Sequence, residues 1–264
     1  MEPNGRLREC LDRARRVAVL TGAGVSAESG VPTFRGNEGL WRQYRAEDLA
    51  TPEAFRWDPK VVWEWYDWRR QLIAKCRPNA AHGAIALLER RSPEFLLITQ
   101  NVDGLHRLAG SSRMVELHGN LWRVRCVREG KTSQNLDVPL PAIPPRCECG
   151  DLLRPDVVWF GEALPAEAMG AAYDFAETCD VFLVVGTSAV VQPAASLPVI
   201  ARRHGAYLVE VNLEPTSLTA VAHVSHHGKA AEILPTLLGF TDFAIRNPQF
   251  EISPPSHPGE ACSD

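Results

Sequence analysis

Four short apolar runs recur along the chain, and each is followed by a glycine, a glutamine or an asparagine. The runs are residues 17–21 (VAVLT), 95–99 (FLLIT), 181–185 (VFLVV) and 207–211 (YLVEV). Such continuous runs are typical of strands that are buried on both faces of a parallel sheet. Helix-like segments at residues 80–90 and 166–178 lie between them. The alternation predicts an α/β fold with a doubly wound parallel sheet, whose ligands bind beyond the carboxyl ends of the strands.

Two stretches interrupt this alternation and predict a smaller inserted module. Residues 41–76 are rich in tryptophan and tyrosine, and Asp58-Pro59 is suited to begin a helix, because Asp caps a helix and Pro fits its first turn. Residues 121–151 hold a cysteine cluster and several prolines. We therefore expect a discontinuous large domain (1–40, 77–120 and 152–245), a small module with a helical and a cysteine-rich part, and a flexible tail at 246–264.

Composition and charge exclude several classes of function. Of the 264 residues, 45% are hydrophobic and 23% are charged, which is ordinary for a globular protein. No apolar run approaches the ~18 residues of a membrane span, and the first residues lack the apolar segment of a secretion signal, so we expect a cytoplasmic protein without a membrane partner. The net charge is −4, of which residues 247–264 supply −3, so a nearly neutral body does not favour nucleic acid.

A glycine-rich segment at residues 22–30 (GAGVSAESG) follows the first apolar run. Glycines at such a position let backbone N–H groups approach a pyrophosphate. The spacing differs from the usual dinucleotide pattern G-x-G-x-x-G, and a glycine-rich turn can also be purely structural. This segment alone leaves nucleotide binding and a structural turn equally open.

Polar residues follow the other runs. Gln100, Asn101 and Asp103 could bond ribose hydroxyls or a carboxamide, although Asn101 and Asp103 could instead form a turn and cap the next helix. His118 could accept a proton, although a lone histidine is often structural. The residues after the third and fourth runs suit ribose and phosphate contacts or ordinary turns; they are Gly186, Thr187, Ser188, Asn212 and Glu214.

Taken together, six separated blocks closely resemble the sirtuin family. They are GAGVSAESGVPTFRG (22–36), TQNVDGLH (99–106), ELHG (116–119), PDVVWFGE (155–162), GTS (186–188) and VEVN (209–212). All six stand in the family's order. The resemblance implies a Rossmann-like domain with a small zinc-bearing module. It also implies an enzyme that consumes NAD to remove acyl groups from lysine, giving nicotinamide and O-acyl-ADP-ribose.

The resemblance assigns roles to individual residues. It implies His118 as the general base, with Asn101 and Asp103 as its catalytic partners. The implied NAD contacts are Gly22, Ala23, Gly24, Ser26, Phe34, Arg35, Gln100, Asn101, Asp103, Gly186, Thr187, Ser188, Asn212, Glu214 and Ala230. An acyl-lysine peptide is expected to pair as a β-strand with the backbone of residues 158–162, through Val158, Phe160, Gly161 and Glu162.

The helix after Asp58 is expected to select the acyl group. Val62, Tyr66, Arg69 and Ile73 are spaced four, three and four residues apart, so they share one stripe that an arginine interrupts. Arg69 could simply extend to a surface carboxylate. Tyr66 and Arg69, however, resemble the Tyr and Arg pair of class III sirtuins, and Ala50 matches the small residue that widens their pocket. This resemblance implies removal of succinyl and malonyl groups, whose carboxylate an arginine can grip in two hydrogen bonds.

The cysteine cluster departs from the family pattern of four zinc-binding cysteines. Cys126 matches, but Glu129 stands where the next cysteine is expected, and Cys147 and Cys149 are separated by one residue. Three thiolates and a carboxylate could bind zinc. A metal-free module held by its prolines is an equal alternative. The seven cysteines, an odd number, favour reduced thiols or a metal site over a disulfide framework.

Other functions remain open within and beyond this resemblance. A plain NAD-dependent deacetylase and a mono-ADP-ribosyltransferase would use the same NAD contacts. A non-catalytic sensor of NAD or acyl-lysine belongs to another class, and His118 together with Gln100, Asn101 and Asp103 argues against it. Protein or peptide substrates carrying acyl-lysine are the expected partners, and we expect a monomer.

Overall fold

The computed structural model describes residues 3–32 and 46–240. Its helices are α1 (Pro3–Arg13), α2 (Gly24–Ala27), α3 (Ala46–Leu49), α4 (Pro52–Trp57), α5 (Pro59–Ile73), α6 (Ala80–Arg91), α7 (Leu105–Leu108), α8 (Ala166–Thr178), α9 (Leu197–Arg203) and α10 (Ala230–Leu237). Its strands are β1 (Arg16–Thr21), β2 (Glu94–Thr99), β3 (Met114–Glu116), β4 (Gly119–Cys126), β5 (Thr132–Gln134), β6 (Leu153–Val157), β7 (Val181–Val185), β8 (Tyr207–Asn212) and β9 (Val224–His227). A 3₁₀ turn at Ala194–Ser196 precedes α9.

Six of these strands form a parallel sheet in the order β3-β2-β1-β7-β8-β9. In chain order this is 3-2-1-4-5-6, which is the doubly wound order of dinucleotide-binding folds. The central strand β1 pairs with β2 (Val17 opposite Phe95) and with β7 (Val17 opposite Val181). The strand order reverses between β1 and β7, so the ligand crevice is expected where these two strands end.

Successive side chains of β1 point to opposite faces of the sheet, and helices cover both faces. Val17 and Val19 pack with helices α6 and α10, whereas Ala18 and Leu20 pack with α8 and α9. Residues 17–20 are all 1% exposed or less, as expected for a strand with helices on both faces. The four apolar runs therefore form strands as predicted.

The small module joins helices α3–α5 to an antiparallel sheet of order β5-β4-β6. Helix α5 begins as predicted, because the Asp58 carboxylate accepts the N–H groups of Lys60 and Val61 at 3.0 Å and Pro59 follows. The helix ends at Ile73. Trp63 and other buried aromatic residues of α5 pack against the three-stranded sheet.

Two buried charged side chains on α5 each bond to the loop that follows β5. The Arg70 guanidinium is fully buried and donates to the Asn135 carbonyl at 2.7 Å. The Asp67 carboxylate accepts the Leu140 N–H at 2.8 Å. The helical and sheet parts of the module are therefore joined by polar contacts as well as by apolar packing.

Some predictions fall outside the described residues or remain untested. Phe34, Arg35 and the tail at 246–264 belong to the residues that the structure does not describe. The three-stranded sheet spans 119–157, and the domain boundaries stay predictions. No helix within residues 3–32 and 46–240 is both long and apolar enough to cross a membrane.

Candidate active site

The glycine-rich turn after β1 packs directly on the end of β7. The Gly24 N–H donates to the Gly186 carbonyl at 2.8 Å. A Cβ atom on Gly24 would lie 2.7 Å from that oxygen, and one on Gly22 would lie 2.7 Å from Cβ of Thr187. Gly186 itself has a φ of +61°, which favours glycine. The glycines are therefore required for the backbones to meet at the switch point, whatever ligand lies above them.

Side chains at the carboxyl ends of β2 and β8 lie at the same end of the sheet as the glycine turn. Gln100 donates through Nε2 to the Thr187 hydroxyl at 3.1 Å, which ties the end of β2 to the turn after β7. At the end of β8, Asn212 donates through Nδ2 to the Glu214 carbonyl at 2.9 Å. The structure thus places Gln100, Thr187 and Asn212, three of the residues predicted to contact the cofactor, at the carboxyl ends of the strands.

A buried polar cluster lies beneath the glycine turn. The Ser26 hydroxyl donates to the Asp103 carboxylate at 2.7 Å, and Asn101 donates to the Ser26 oxygen at 3.2 Å. The Leu105 N–H also donates to Asp103 at 2.8 Å, so Asp103 contributes to the turn that leads into α7, although Gly104 is the residue at the N-cap. Burial raises the pKa of Asp103, while the hydrogen bonds from Leu105 and Ser26 oppose that rise.

Two buried histidines that the sequence analysis missed support this cluster. Nε2 of His82 lies 3.3 Å from the Ser26 hydroxyl, and Nε2 of His106 lies 3.0 Å from the Thr21 hydroxyl. Their ring centroids are 4.7 Å apart. Burial lowers the pKa of His82 to about 4 and that of His106 well below its usual value. Both rings are therefore neutral near pH 7.

His118 has one ring nitrogen fixed and the other available. Its Nδ1 lies 2.9 Å from the Gln100 carbonyl. A carbonyl only accepts hydrogen bonds, so Nδ1 carries the hydrogen and Nε2 keeps its lone pair. Burial lowers the pKa of His118, and the bond to Gln100 partly opposes this. The imidazole is therefore poised to accept a proton through Nε2 at neutral pH.

Residues on both sides of His118 hold its backbone. The Glu116 carboxylate accepts Nδ2 of Asn120 at 2.6 Å and pairs with Arg123 at 3.0 Å. Arg123 also pairs with Asp156 at 2.9 Å, and the His118 carbonyl accepts the Val158 N–H at 2.9 Å. This network could not be predicted from the sequence, because its partners lie on three different strands.

The segment expected to bind substrate is partly engaged within the chain. The Phe160 N–H donates to the Ala50 carbonyl at 2.9 Å, and the Trp159 N–H donates to the Glu162 carboxylate at 2.9 Å. Glu162 also pairs with Arg154 at 2.6 Å. Burial raises the pKa of Glu162, but the hydrogen bonds from Arg154 and the Trp159 N–H outweigh burial, so the pKa is lowered overall. Phe160 itself is 54% exposed. An added strand would therefore rely on carbonyl groups of this segment rather than on these N–H groups.

Tyr66 and Arg69 lie on the inner face of α5. Tyr66 is 1% exposed, and burial raises its pKa to about 12. The Arg69 guanidinium lies 4.8 Å from the Trp65 ring and 5.8 Å from the Tyr66 ring. Burial lowers the pKa of Arg69, while the nearby Tyr66 and Asp103 oppose this. The Arg69 guanidinium thus lies over the aromatic rings of α5, and its assignment to the acyl group stays a prediction.

The four predicted metal ligands converge. One ligand atom from each of Cys126, Glu129, Cys147 and Cys149 lies within 4.8 Å of all the others, and the sulfurs of Cys126 and Cys149 are 3.5 Å apart. A tetrahedral zinc ion held at about 2.3 Å by sulfur separates its thiolates by about 3.8 Å. The Cys147 carbonyl accepts the Gly150 N–H at 2.8 Å, and this turn brings both cysteines to one side. The residues present therefore fit zinc.

We expect about one zinc ion per chain, measured by elemental analysis of protein purified without added metal. Replacing Glu129 with alanine should weaken zinc binding at least about tenfold, as measured by competition with a chelator. Replacing Glu148, which is exposed between the two cysteines, should leave the affinity unchanged. Protein that purifies without zinc and does not take it up would contradict the assignment.

These features together define a dinucleotide-binding enzyme. They are the glycine turn, the buried cluster of amide and carboxylate groups, and a histidine that can accept a proton, all at the carboxyl ends of the strands. The profile of the Sir2 family matches residues 22–193. The chain therefore belongs to the Sir2 family, which confirms the resemblance to sirtuins.

Relatives and solved structures agree with this membership. The chain is 56% identical over 216 residues to an NAD-dependent protein deacylase of Aquifex aeolicus, with 81% of this chain and 90% of the relative covered. It is 55% identical over 246 residues to one of Thermus thermophilus, covering 90% and 95%. A Sir2 homologue in complex with NAD has a TM-score of 0.85 and 47% identity, covering 90% of this chain and 93% of that one.

A more distant structure contains a peptide and an acetylated ADP-ribose. It is a Sir2 variant with a deacetylated peptide and 3′-O-acetyl ADP-ribose, and it is 32% identical to this chain with a TM-score of 0.79. The alignment covers 89% of this chain and 97% of that one.

Proposed function

We propose that this protein is an NAD-dependent protein-lysine deacylase that removes succinyl and malonyl groups in preference to acetyl groups. Membership of the Sir2 family and relatives named as NAD-dependent protein deacylases support the deacylase activity. The preference for acidic acyl groups is a finer proposal, which depends on Tyr66 and Arg69. NAD is consumed in this reaction as a substrate.

The observation that carries the proposed chemistry is the orientation of His118. NAD supplies a ribose carbon that the acyl oxygen can attack as nicotinamide leaves. His118 Nε2 then accepts the proton of a ribose hydroxyl, because Nδ1 is already bonded to the Gln100 carbonyl. Asn101 and Asp103 hold the nicotinamide end and its ribose, and their mutual contacts through Ser26 fix their positions.

Three residues support an acidic acyl group. A guanidinium can donate two parallel hydrogen bonds to the terminal carboxylate of succinyl- or malonyl-lysine, and a phenol can add a third. Tyr66 has a pKa of about 12, so it keeps its hydrogen over the physiological pH range. Ala50 is buried (8% exposed), and its small side chain would take less space from an acyl group than a larger side chain would. An acetyl group offers no carboxylate to these donors.

We further propose that the substrate peptide lies along residues 158–162 as an added strand. The N–H groups of Val158, Trp159 and Phe160 are engaged within the chain, so the carbonyls of this segment and Gly161 would provide the contacts. Glu162 would act by holding this segment through Arg154. Recognition through the backbone implies loose sequence preference.

Identification of the products by mass spectrometry tests the proposed activity. We expect a succinyl-lysine peptide, NAD and water to give the peptide with an unmodified lysine, nicotinamide and O-succinyl-ADP-ribose in equal amounts. A protein or peptide that gains ADP-ribose would instead indicate ADP-ribosyl transfer. Binding of NAD without release of nicotinamide in a single turnover would indicate a sensor, and either result would overturn the proposal.

A further inference from the structure

We infer that Trp159 determines acyl specificity by orienting the Tyr66 hydroxyl. In this inference, which rests on the proposed function, the indole N–H of Trp159 donates a hydrogen bond to the Tyr66 hydroxyl oxygen. The Tyr66 hydrogen is then left to donate to the carboxylate of an acidic acyl group. Trp159 thus acts through Tyr66, as a positioning residue.

The first support is a hydrogen bond with only one possible direction. Nε1 of Trp159 lies 3.0 Å from the Tyr66 hydroxyl oxygen. An indole N–H can only donate, so the Tyr66 oxygen accepts and its own hydrogen must point elsewhere. No acceptor for that hydrogen lies within hydrogen-bonding distance among residues 3–32 and 46–240. A buried hydroxyl with an unused hydrogen gains free energy when a ligand oxygen arrives.

The second support is that the indole is held in place on several sides. Trp159 is 3% exposed, and the Arg154 guanidinium lies 3.5 Å from its ring centroid. Arg154 pairs with Glu162, whose carboxylate also accepts the Trp159 N–H at 2.9 Å. On the helical side, the Phe55 ring is 5.2 Å away. The direction of the hydrogen bond to Tyr66 is therefore fixed by the fold before any substrate binds.

The third support is the chemistry of the ligand. An ionised carboxylate only accepts hydrogen bonds, so it binds a hydroxyl that presents its hydrogen and is repelled by one that presents lone pairs. The methyl group of acetyl-lysine forms no hydrogen bond with the hydroxyl, so the direction of the hydroxyl hydrogen does not affect its binding. Loss of the indole N–H should therefore weaken binding of succinyl-lysine and leave acetyl-lysine unaffected.

Replacement of Trp159 with phenylalanine removes the N–H and keeps an aromatic ring. We expect kcat/KM for a succinyl-lysine peptide to fall about fivefold, mainly through a higher KM, with less than about a twofold change for the acetyl-lysine peptide. The matched control is Trp63→Phe. Trp63 is also fully buried near Tyr66, with ring centroids 6.4 Å apart, but its Nε1 donates to the Leu153 carbonyl at 2.7 Å. This control should leave the succinyl to acetyl ratio unchanged.

A double-mutant cycle with Tyr66→Phe tests whether the effect passes through the hydroxyl. We expect Trp159→Phe to change the ratio no further once the Tyr66 hydroxyl is absent. Equal losses on both peptides, or a full additional loss in the Tyr66→Phe background, would overturn the inference. If Tyr66→Phe and Arg69→Met change the ratio but Trp159→Phe does not, the inference alone fails. If the wild type shows no preference for succinyl-lysine, the proposed acyl preference fails with it.

Discussion

Replacement of His118 with alanine is expected to lower the rate of deacylation by about 10²- to 10⁴-fold, the usual contribution of a general base. Alanine removes the Nε2 lone pair that accepts the ribose proton. The affinity for NAD should change little, because the glycine turn and the Gln100 contact to Thr187 do not depend on the imidazole. Steady-state kinetics and NAD binding by calorimetry would measure the two effects separately.

The pH profile gives a second readout of the same residue. Burial lowers the pKa of His118 below the ordinary value of 6.5. The neutral base is present above that lowered pKa, and it is lost as the pH falls through it. Loss of kcat/KM on acidification should therefore begin below pH 6.5 in the wild type and should be absent in the alanine variant.

His223 provides a matched control for the histidine substitution. Its pKa is also lowered by burial, and its Nδ1 accepts the Leu208 N–H at 2.9 Å, near the opposite end of β8 from Asn212. His223→Ala should leave the rate and the pH profile unchanged. A His118→Ala variant that keeps most of its activity would exclude the imidazole as the base.

Replacement of Arg69 with methionine is expected to lower kcat/KM for succinyl-lysine on the order of 10²-fold, because the acyl carboxylate loses its half-buried cationic partner. Methionine keeps a flexible side chain of similar length, so the helix packing should survive. Activity on acetyl-lysine should be retained, because that substrate makes no use of the guanidinium. Paired kinetics on two versions of one peptide would measure the change.

Lys60→Met controls for loss of a positive charge from the same helix. Lys60 is exposed and pairs with Glu64 at 3.5 Å near the start of α5. This variant should keep the wild-type ratio of succinyl to acetyl activity. Equal losses on both substrates in Arg69→Met would mean that Arg69 supports Asp103 or the fold rather than the acyl carboxylate.

Local sequence patterns were sufficient to predict the sheet and the start of α5. The apolar runs form β1, β2, β7 and β8 because residues buried on both faces must be apolar throughout. Asp58 and Pro59 begin α5 through contacts within the same turn. The edge strand β9 was missed, because its sequence VSHH is partly exposed and carries no apolar run.

The site was predictable only where one residue carried its own chemical signal. His118 and the residues of the glycine turn carry a chemical signal of their own. Glu116 and Trp159 also stand in recognisable blocks, but their roles, like that of His82, depend on partners far away in sequence. Glu162 shows the same limit, because its carboxylate is held by Arg154 and by the Trp159 N–H. Long-range hydrogen bonds leave no periodic pattern in a single sequence.

The most direct measurement is the ratio of kcat/KM for succinyl-lysine and acetyl-lysine in one peptide sequence, with wild-type protein and saturating NAD. We predict a ratio of at least about tenfold in favour of succinyl-lysine, as expected for one charged hydrogen-bonding contact. Equal turnover of the two peptides, or faster turnover of acetyl-lysine, would contradict the proposed acyl preference.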